Sequence, residues 1–386
     1  MKIFVACHDW DHMGSNSGFP LAKVLTKVSR YDSIISLNIQ SRHEKYHFFK
    51  YLLTNLRSRI SLTSSAKVSG QKNQSGSIWS TQKHSHFAAN ALKALKADTS
   101  SVLVLPAAED QFCSEFACAH IQLKKRIFLC FHQPPAWFRL HWRNFHDFES
   151  LGGIISLSKH QVSYFQSTCQ TPICLIRHGV RHDFFTTPLD PDSRKYNRLI
   201  FVGQWLRDFD TLTEAMNRIW MIRPDIYLDC VVPHFARNLT SIRRLAVDQR
   251  VSWHADLSDI ELRKLYQAAD LLFLPVIDAV ANNAIVEAMA SGLPIVSTQI
   301  DGMSEYIPNE ARSLCPRGDA MAHADAVINW LSNPIKMRKG GEIARKHAIE
   351  NFDWNTIGNQ LLDFIVTRRI SLDEVSNSSI KEMFCE

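Results

Sequence analysis

Short runs of consecutive apolar residues recur along the chain, and they alternate with longer stretches in which apolar residues return with a helical period. Continuous apolar runs bounded by turn residues are typical of parallel strands buried on both faces of a sheet. The stretches 211–223 and 258–269 have the helical spacing and predict helices. The runs that predict strands lie at 2–8, 33–37, 101–106, 126–131, 153–157, 198–203, 226–232, 270–275 and 293–297. Strands and helices that alternate along a whole chain predict an α/β fold, with parallel sheets covered by helices on both faces.

The length of the chain indicates two domains. It has 386 residues, whereas a single hydrophobic core stops growing at roughly 250–300 residues. We therefore predict an N-terminal domain over 1–185 and a C-terminal domain over 199–350, joined by the turn-rich linker 186–198. The amphipathic segment 351–368 is predicted to be a C-terminal helix that can pack back on the N-terminal domain. A loose polar tail is predicted over 369–386.

The composition excludes several classes of protein. With 45% hydrophobic and 21% charged residues, the chain has enough apolar material for two cores and too much for a disordered protein. Its nine cysteines are scattered without a CxxC pair, which is typical of buried thiols in a reducing compartment and not of a disulfide framework or a zinc site. Asp9 and Asp11 precede any long apolar run, and no run is long enough to span a membrane. We therefore predict a cytoplasmic protein without a bound metal.

The net charge is distributed unevenly. The chain carries a formal charge of +6, but residues 1–190 carry +10 and residues 191–386 carry −4. The basic half is therefore the one expected to meet an anionic partner. Its segment 43–60 interleaves aromatic and leucine residues with lysines and arginines, which fits either a helix lying on the anionic inner face of a membrane or a core-facing helix with a solvated cationic side. No nucleic-acid-binding module is recognisable, so a nucleic-acid partner is not expected.

The segment 278–303 carries the most informative candidate site. Asn282 is placed to cap a helix that follows the strand at 270–275, and Asn283 and Glu287 share one face of that helix. A helix N-terminus offers free N–H groups and partial positive charge to a phosphate, and a carboxylate one turn further can accept two hydroxyl groups of a ribose. The pattern fits a sugar nucleotide. The alternative is an ordinary amphipathic helix with a capping Asn and a surface Glu.

The sequence EAMASGLPIVST at 287–298 resembles the signature of retaining glycosyltransferases of the GT-B fold, in the family-4-type group also called glycosyl transferases group 1. The resemblance implies two Rossmann-like, doubly wound domains facing a central cleft, and a nucleoside-diphosphate sugar as co-substrate without a further cofactor. The family has an acid eight residues before this Glu, where the chain has Ala279, and the nearest acid is Asp278. Either Asp278 orients the transferred sugar from a shifted loop, or Asn282 and Asn283 share that task.

A second match begins at Leu199 with the sequence LIFVGQWLRDFD. It resembles the first strand, glycine turn and helix of the family's C-terminal domain, where an Arg and a following Lys hold the diphosphate. Here Gly203 is the turn glycine, Gln204 stands at the first basic position, and Arg207 is the nearby cation. A guanidinium can bind phosphate oxygens through two N–H groups and neutralise a leaving diphosphate. The alternative is a solvated Arg207 paired with Asp208 or Asp210.

The resemblance also implies roles for single residues elsewhere. It places His132, after the strand at 126–131, near the donor sugar, and Gly18 in the loop that approaches the donor phosphates on the acceptor side. It places the backbone around His254 against the nucleotide base, and His178 at the end of the N-terminal domain as a hinge residue. For His132 the alternative is a loop residue satisfied by backbone, and for His254 an ordinary connection between a strand and a helix.

The resemblance therefore implies an enzyme that moves a hexose-type sugar from a nucleoside-diphosphate sugar to a hydroxyl acceptor with retention at the anomeric carbon. The acceptor can be a glycan, a lipid-linked molecule or a small molecule. Two alternatives remain open: a nucleotide-sugar epimerase or phosphorylase of the same fold, and a non-catalytic nucleotide-sugar binder.

Overall fold

The computed structural model describes residues 2–8, 34–39, 82–142, 144–188, 197–238 and 242–383. Three sequence predictions lie outside these residues: Gly18, the basic segment 43–60 and most of the linker, 189–196.

Within the described residues, twelve strands form two separate six-stranded sheets. The strands of the first sheet are β1 Ile3–His8, β2 Ile34–Ile39, β3 Val102–Leu105, β4 Ile127–Phe131, β5 Gly153–Ser156 and β6 Ile173–Leu175. Those of the second are β7 Arg198–Val202, β8 Tyr227–Val231, β9 Val251–His254, β10 Leu271–Leu274, β11 Ile295–Thr298 and β12 Arg312–Cys315. Every strand pair is parallel, so the predicted α/β class is confirmed.

Helices connect the strands and cover both sheets. They are α1 Gln82–Ala97, α2 Ala108–Gln111, α3 Ser114–Ala117, α4 Ile121–Lys124, α5 Pro135–His141, α6 Lys159–Gln166, α7 Phe209–Ile222, α8 Arg243–Ala246, α9 Asp259–Ala268, α10 Asn283–Ala290, α11 Asp301–Tyr306, α12 Ala320–Leu331, α13 Pro334–Phe352 and α14 Trp354–Met383. The predicted helices at 211–223 and 258–269 correspond to α7 and α9. Each is amphipathic and turns its apolar side to the sheet, where burial stabilises it.

The strand order of each sheet determines where a ligand can bind. The N-terminal sheet runs β2-β1-β3-β4-β5-β6, and the C-terminal sheet runs β12-β11-β10-β7-β8-β9. The second order is that of a doubly wound dinucleotide-binding fold, in which the chain changes direction between its first strand, β7, and its fourth, β10. In open α/β sheets ligands bind beyond the carboxyl ends of the strands at this switch point.

All nine strands predicted from apolar runs are present, and the three strands not predicted, β6, β9 and β12, each lie at the edge of a sheet. Most residues of these edge strands are partly exposed, whereas β3, β4, β5, β10 and β11 are buried throughout. An edge strand is flanked by a neighbour on one side only, so its sequence needs no continuous apolar run.

The last helix, α14, packs on the N-terminal sheet. Its residues Trp354, Ile357 and Leu361 belong to the same buried cluster as Val5 and Val104 of the N-terminal strands. Phe364 lies so close to Gly153 that a Cβ added to the glycine would stand 2.5 Å from the ring. The end of the chain therefore contacts the domain with which it began.

One prediction about this region is wrong. The segment from 369 onward was expected to be a loose tail, but α14 continues to Met383. No Gly or Pro occurs after Gly358, so nothing in the sequence interrupts the helical hydrogen-bond ladder. Among the helices of the described residues, none combines the length and the hydropathy that a membrane span requires.

The packing of α14 can be tested at Trp354, which is 7% exposed and lies against Gly179 and the ring of His178. We expect Trp354→Ala to lower the free energy of unfolding by about 3–5 kcal/mol, because it removes a large buried ring and leaves a cavity. Met321→Ala, at a side chain 58% exposed, should change it by no more than about 0.5 kcal/mol. Urea unfolding followed by circular dichroism measures both, and equal small effects would contradict the packing.

Candidate functional site

The turn after β7 is built around the guanidinium of Arg207. Its Nε donates to Val202 O at 2.9 Å, and its Nη1 donates to Trp205 O at 2.9 Å. Gly203 has a φ of +90°, and a Cβ at this position would stand 2.7 Å from Nη2 of Arg207. The glycine is therefore needed both for the left-handed backbone and for the space that the guanidinium occupies. Gln204, the next residue of the turn, is partly buried.

Backbone contacts join this turn to the loop after β10. Asp208 N donates to Pro275 O at 3.1 Å, and Ile277 N donates to Leu206 O at 2.8 Å. Arg207 Nη2 donates to Oδ1 of Asn282 at 3.2 Å, and the same oxygen accepts the N–H of Ala284 at 3.1 Å. The predicted N-cap at Asn282 is thus confirmed. The carboxyl ends of β7 and β10, on either side of the switch point, meet through this pair of side chains.

The site holds a partly buried positive charge beside a helix N-terminus. Burial lowers the pKa of Arg207 to about 10, so the guanidinium remains charged at neutral pH. It lies next to the first turn of α10, whose free N–H groups carry partial positive charge. The alternative of a solvated Arg207 paired with Asp208 or Asp210 is wrong, because all three nitrogens of the guanidinium bind other acceptors, Val202 O, Trp205 O and Asn282 Oδ1, while Asp208 caps α7 through Thr211.

Glu287 follows on the same helix, one turn after the partly buried Asn283. It is only 5% exposed, and its Oε2 accepts the hydroxyl of Tyr266 at 2.9 Å. Burial, followed by the charge of Glu287, raises the pKa of Tyr266 far above its ordinary value, whereas Arg207 opposes the shift. The alternative of a surface Glu is therefore wrong: Glu287 and Tyr266 are buried together, and the charge of Arg207 acts on them.

Asp278 lies in the loop between β10 and α10, where its Oδ1 accepts the N–H of Ala279 at 2.8 Å. Burial raises its pKa, and the opposing charges come from Arg317 and from His160 at the start of α6. His160 belongs to the N-terminal domain, so Asp278 lies where the two domains face each other. Asp301 is also close, since its carboxylate pairs with His160 Nδ1 at 3.3 Å.

His132 follows β4 on the opposing domain. Its Nε2 lies 2.7 Å from Pro106 O, a contact that assigns the ring proton to Nε2 and leaves Nδ1 as the acceptor nitrogen. Burial lowers the pKa of His132, so the ring is neutral at neutral pH. The alternative stated for His132, a loop residue whose ring is satisfied by a backbone group, therefore holds for its Nε2.

The loop that carries His132 touches the Arg207 turn directly. Trp205 Nε1 donates to Oε1 of Gln133 at 3.0 Å, and the Trp205 ring packs against the apolar core of the N-terminal domain. The carbonyl of Trp205 accepts a hydrogen bond from Arg207. Gln133 of the N-terminal domain is thus linked to the guanidinium by two hydrogen bonds, through Trp205.

Sequence reasoning missed Glu109, which stands behind this loop. Its Oε1 accepts the backbone N–H groups of His132 and, at 2.6 Å, of Gln133. It is 4% exposed, and burial raises its pKa to about 7. The signal available in the sequence was an acidic pair directly after the buried strand β3, whose carboxyl end adjoins that of β4.

His254 is not brought to the switch point by its side chain. Its Nε2 lies 2.9 Å from Oδ1 of Asp229, which is 1% exposed and also accepts Arg198 Nε at 2.5 Å. The imidazole is therefore held against the sheet. The contact of the backbone around His254 with the nucleotide base, which the resemblance implies, stays a prediction.

The buried His178 lies at the junction of the domains. Its N–H donates to the hydroxyl of Tyr306 at 3.0 Å, and that hydroxyl donates to Leu157 O at 2.9 Å. Burial lowers the pKa of His178 to about 4. The hinge role that the resemblance implies for His178 stays a prediction.

Comparison with known families agrees with the signature in the C-terminal domain. The model of the family described as Glycosyl transferases group 1 matches residues 196–333. This range contains β7 to α12 and therefore the Arg207 turn and α10. The resemblance drawn from the sequence is confirmed over this domain.

Curated relatives align with less than half of the chain. The MMP alpha-(1->4)-mannosyltransferase of Mycolicibacterium hassiacum is 27% identical over 176 residues, which are 44% of this chain and 43% of that protein. The phosphatidyl-myo-inositol mannosyltransferase of Mycobacterium leprae is 31% identical over 96 residues, 25% of each chain. The chain thus spans less than half the length of these relatives.

Solved structures resemble almost the whole chain. Sucrose-phosphate synthase from Thermosynechococcus elongatus covers 97% of this chain and 100% of its own, with a TM-score of 0.69 at 16% identity. The match with Anabaena HepE in complex with UDP and glucose covers 95% of this chain and 99% of HepE, with a TM-score of 0.66 at 16% identity. WaaG covers 95% and 99%, with a TM-score of 0.63 at 15% identity. At these identities the likeness shows the fold, and the predicted GT-B architecture is confirmed.

Two glycines allow a direct test of the Arg207 turn. Gly203 and Gly318 both have positive φ, but a Cβ at Gly318 would meet nothing within 4 Å. We expect Gly318→Ala to lower the unfolding free energy by about 1 kcal/mol through backbone strain alone. Gly203→Ala should cost about 1 kcal/mol more, because its Cβ displaces the guanidinium.

In an Arg207→Ala background the extra cost of Gly203→Ala should disappear. Urea unfolding of the four members of this double-mutant cycle measures the coupling between the two positions. Additive effects would show that the guanidinium does not occupy the space above Gly203.

Proposed function

We propose that this chain, whose C-terminal domain matches group 1 glycosyltransferases, transfers a hexose-type sugar from a nucleoside-diphosphate sugar to a hydroxyl acceptor with retention of the anomeric configuration. The observation that carries the proposal is the contact between Arg207 and Asn282 at the switch point. It places a charged guanidinium beside the free N–H groups of a helix N-terminus, which is an arrangement suited to a diphosphate.

In this proposal Arg207 and the start of α10 hold the leaving diphosphate. Within the part of the chain that the structure describes, the contacts of Arg207 named above use three of its five N–H groups, and in this proposal the other two bind phosphate oxygens. Negative charge accumulates on these oxygens as the bond to the sugar breaks, and a fixed cation stabilises that charge most in the transition state. Because Arg207 is already held by its turn, little reorganisation is needed during the reaction.

Glu287 binds the ribose hydroxyls in the proposed complex, with the Tyr266 hydroxyl orienting its carboxylate. Asp278 or Asn283 orients the transferred sugar, and neutral His132 contacts it from the N-terminal domain. The acceptor hydroxyl attacks the face from which the diphosphate leaves, and an oxygen of that diphosphate takes the proton. No dedicated protein base, resident metal or further cofactor is needed, since positioning and charge stabilisation provide the catalysis.

The acceptor and the location of the protein follow from weaker observations. The relative from Mycobacterium leprae is named for transfer to phosphatidyl-myo-inositol, and the basic segment 43–60 could attract an anionic membrane. We therefore include lipid-linked hydroxyls among the acceptors, with a cytoplasmic protein that contacts the membrane peripherally. The HepE complex with UDP and a relative from Corynebacterium glutamicum that is named as GDP-mannose-dependent support UDP-sugars and GDP-sugars as the first donors to test.

One observation favours a second candidate, a non-catalytic nucleotide-sugar binder. Gln204 replaces the first cation of the turn, and Ala279 replaces the acid eight residues before Glu287. Such a protein would bind a sugar nucleotide without transferring or hydrolysing it. Turnover with any hydroxyl acceptor separates the two candidates.

Arg207 provides the main test of the proposed enzyme. A thermal-shift screen of UDP, GDP, ADP and their sugars first identifies the donor, because a ligand of the native state raises the melting temperature. With that donor, Arg207→Ala should lower kcat by about 10²–10³-fold, as expected when a fixed charge-stabilising donor is lost. Arg218→Ala is the matched control, since Arg218 lies on α7 and pairs with Glu214 in solvent. A loss of less than about twofold at Arg207 would contradict the assignment.

The stereochemistry of the product tests retention separately. With an α-configured donor we expect an α-linked product, because the acceptor attacks from the side that the diphosphate leaves. The one-bond carbon–proton coupling at the anomeric carbon, measured by NMR on the isolated product, distinguishes the two anomers. A β-linked product would show inversion and would require a protein base that the proposal lacks.

A further inference from the structure

A buried carboxylate stands directly behind the loop that carries His132. Glu109 lies on α2, just after β3, and its Oε1 accepts two successive backbone N–H groups, those of His132 and Gln133. The two residues follow β4, the next strand of the sheet, so the contact bridges the carboxyl ends of neighbouring strands. A single carboxylate oxygen thereby fixes two peptide units that border the cleft.

Neutral groups restrain the same loop from other sides. Gln161 Nε2 donates to Phe131 O and to Gln133 O, each at 3.0 Å, and His132 Nε2 lies 2.7 Å from Pro106 O. An amide side chain is thus sufficient to hold part of the loop. An ionised carboxylate in this buried place costs free energy, as the rise of its pKa to about 7 indicates. Stability of the fold therefore does not explain why a carboxylate stands here.

The loop transmits its position to the other domain. Gln133 accepts the indole N–H of Trp205, and the carbonyl of Trp205 accepts Nη1 of Arg207. A displacement of the Gln133 peptide therefore moves an acceptor of the turn that holds the guanidinium. His132 moves with the same peptide unit, so one anchor governs residues on both sides of the cleft.

We propose that Glu109 is a positioning residue for the transfer reaction: its carboxylate fixes the His132–Gln133 peptides and, through Gln133 and Trp205, aligns His132 with the Arg207 turn. The effect of Glu109 on transfer rests on the proposed function, whereas its anchoring of the His132–Gln133 peptides does not. Charge strengthens the two hydrogen bonds, because an ionised acceptor binds N–H groups about twice as strongly as a neutral one.

Three titratable groups of the described residues lie around Glu109. Cys130 is on the neighbouring strand β4, His132 follows the end of that strand, and Asp110 is on the same helix as Glu109. Burial and, after it, the charge of Glu109 raise the pKa of the Cys130 thiol, and burial lowers the pKa of His132 against the effects of the Pro106 carbonyl and of Asp110. Since the folded pKa of Glu109 lies above the ordinary 4.5, the folded state binds its proton more tightly. Stability from this group therefore falls as pH rises from about 4.5 to about 7.

The experiment compares Glu109→Gln and Glu109→Ala with the parent and with Glu115→Gln, a control in the neighbouring helix α3. At pH 8, we expect Glu109→Gln to raise the melting temperature, because the ionised buried group is gone, and we expect a smaller rise at pH 5.5, which lies only one unit above the ordinary pKa of 4.5. The same variant should lower kcat at least tenfold at pH 8 and leave the dissociation constant for the nucleoside diphosphate within twofold. Glu109→Ala should lower both kcat and the melting temperature, because two N–H groups lose their acceptor.

A gain of stability together with a loss of rate cannot result from partial unfolding, so this combination identifies positioning. If Glu109→Gln and Glu109→Ala keep kcat within twofold of the parent, the proposal is overturned. If the parent binds a sugar nucleotide but transfers nothing, the proposed function fails instead. In that case the NMR signals of the His132 ring test whether Glu109 positions this residue. They are assigned by their absence from the spectrum of His132→Gln. A shift in Glu109→Gln that is absent in Glu115→Gln supports the anchor, and unchanged signals refute it.

Discussion

The candidate site depends on one constraint: the partly buried guanidinium of Arg207 is held at the junction of β7 and β10 by three acceptors of the protein. Val202 O and Trp205 O accept two of its N–H groups and Asn282 a third. Gly203 is a consequence of the same constraint, because a side chain would occupy the space of Nη2. The cap of α10 is another, since the oxygen that caps the helix also binds the cation. Without Arg207, the turn, the cap and the buried Glu287–Tyr266 pair would lose their common partner.

The two domains meet through a small number of polar contacts beside the buried surface of α14. Glu305 accepts Lys159 N through both carboxylate oxygens, at 3.1 and 2.8 Å, and so caps α6 from the opposite domain. Tyr306 bridges His178 N and Leu157 O, and Trp205 reaches Gln133. Contacts of this kind need defined geometry and bury little apolar area, so they determine how the domains are oriented more than how stable each domain is.

The charged groups at the cleft are arranged at some cost to folding. Burial raises the pKa values of Glu109 and Asp278 and lowers that of Arg207, which means that the charged form of each is less favourable here than in water. Apolar residues of similar size would serve the core better. Groups held in this way are typical of sites at which charge must already be in place when a reaction begins.

The sequence by itself determined the α/β class and the strands that are buried on both faces, because burial requires continuous apolar runs that can be recognised locally. It also determined the capped helix α10, whose signals lie within a few residues of Asn282, and the motif that identifies the turn at Gly203. The strands β6, β9 and β12, each at the edge of a sheet, were not predicted, since most of their residues are partly exposed and form no continuous apolar run. The polar composition after residue 369 does not distinguish a loose tail from the helix that continues to Met383.

Only the tertiary structure decided which side chains meet. Arg207 and Asn282 are 75 residues apart, and Glu109 and Gln133 are 24 apart, on different loops of one sheet. Nothing in the local pattern distinguishes the buried Glu109 from the acid beside it, or shows that the imidazole of His254 turns to Asp229. These pairings follow from strand order, because neighbouring carboxyl ends bring distant loops together, and strand order is a property of the assembled sheet.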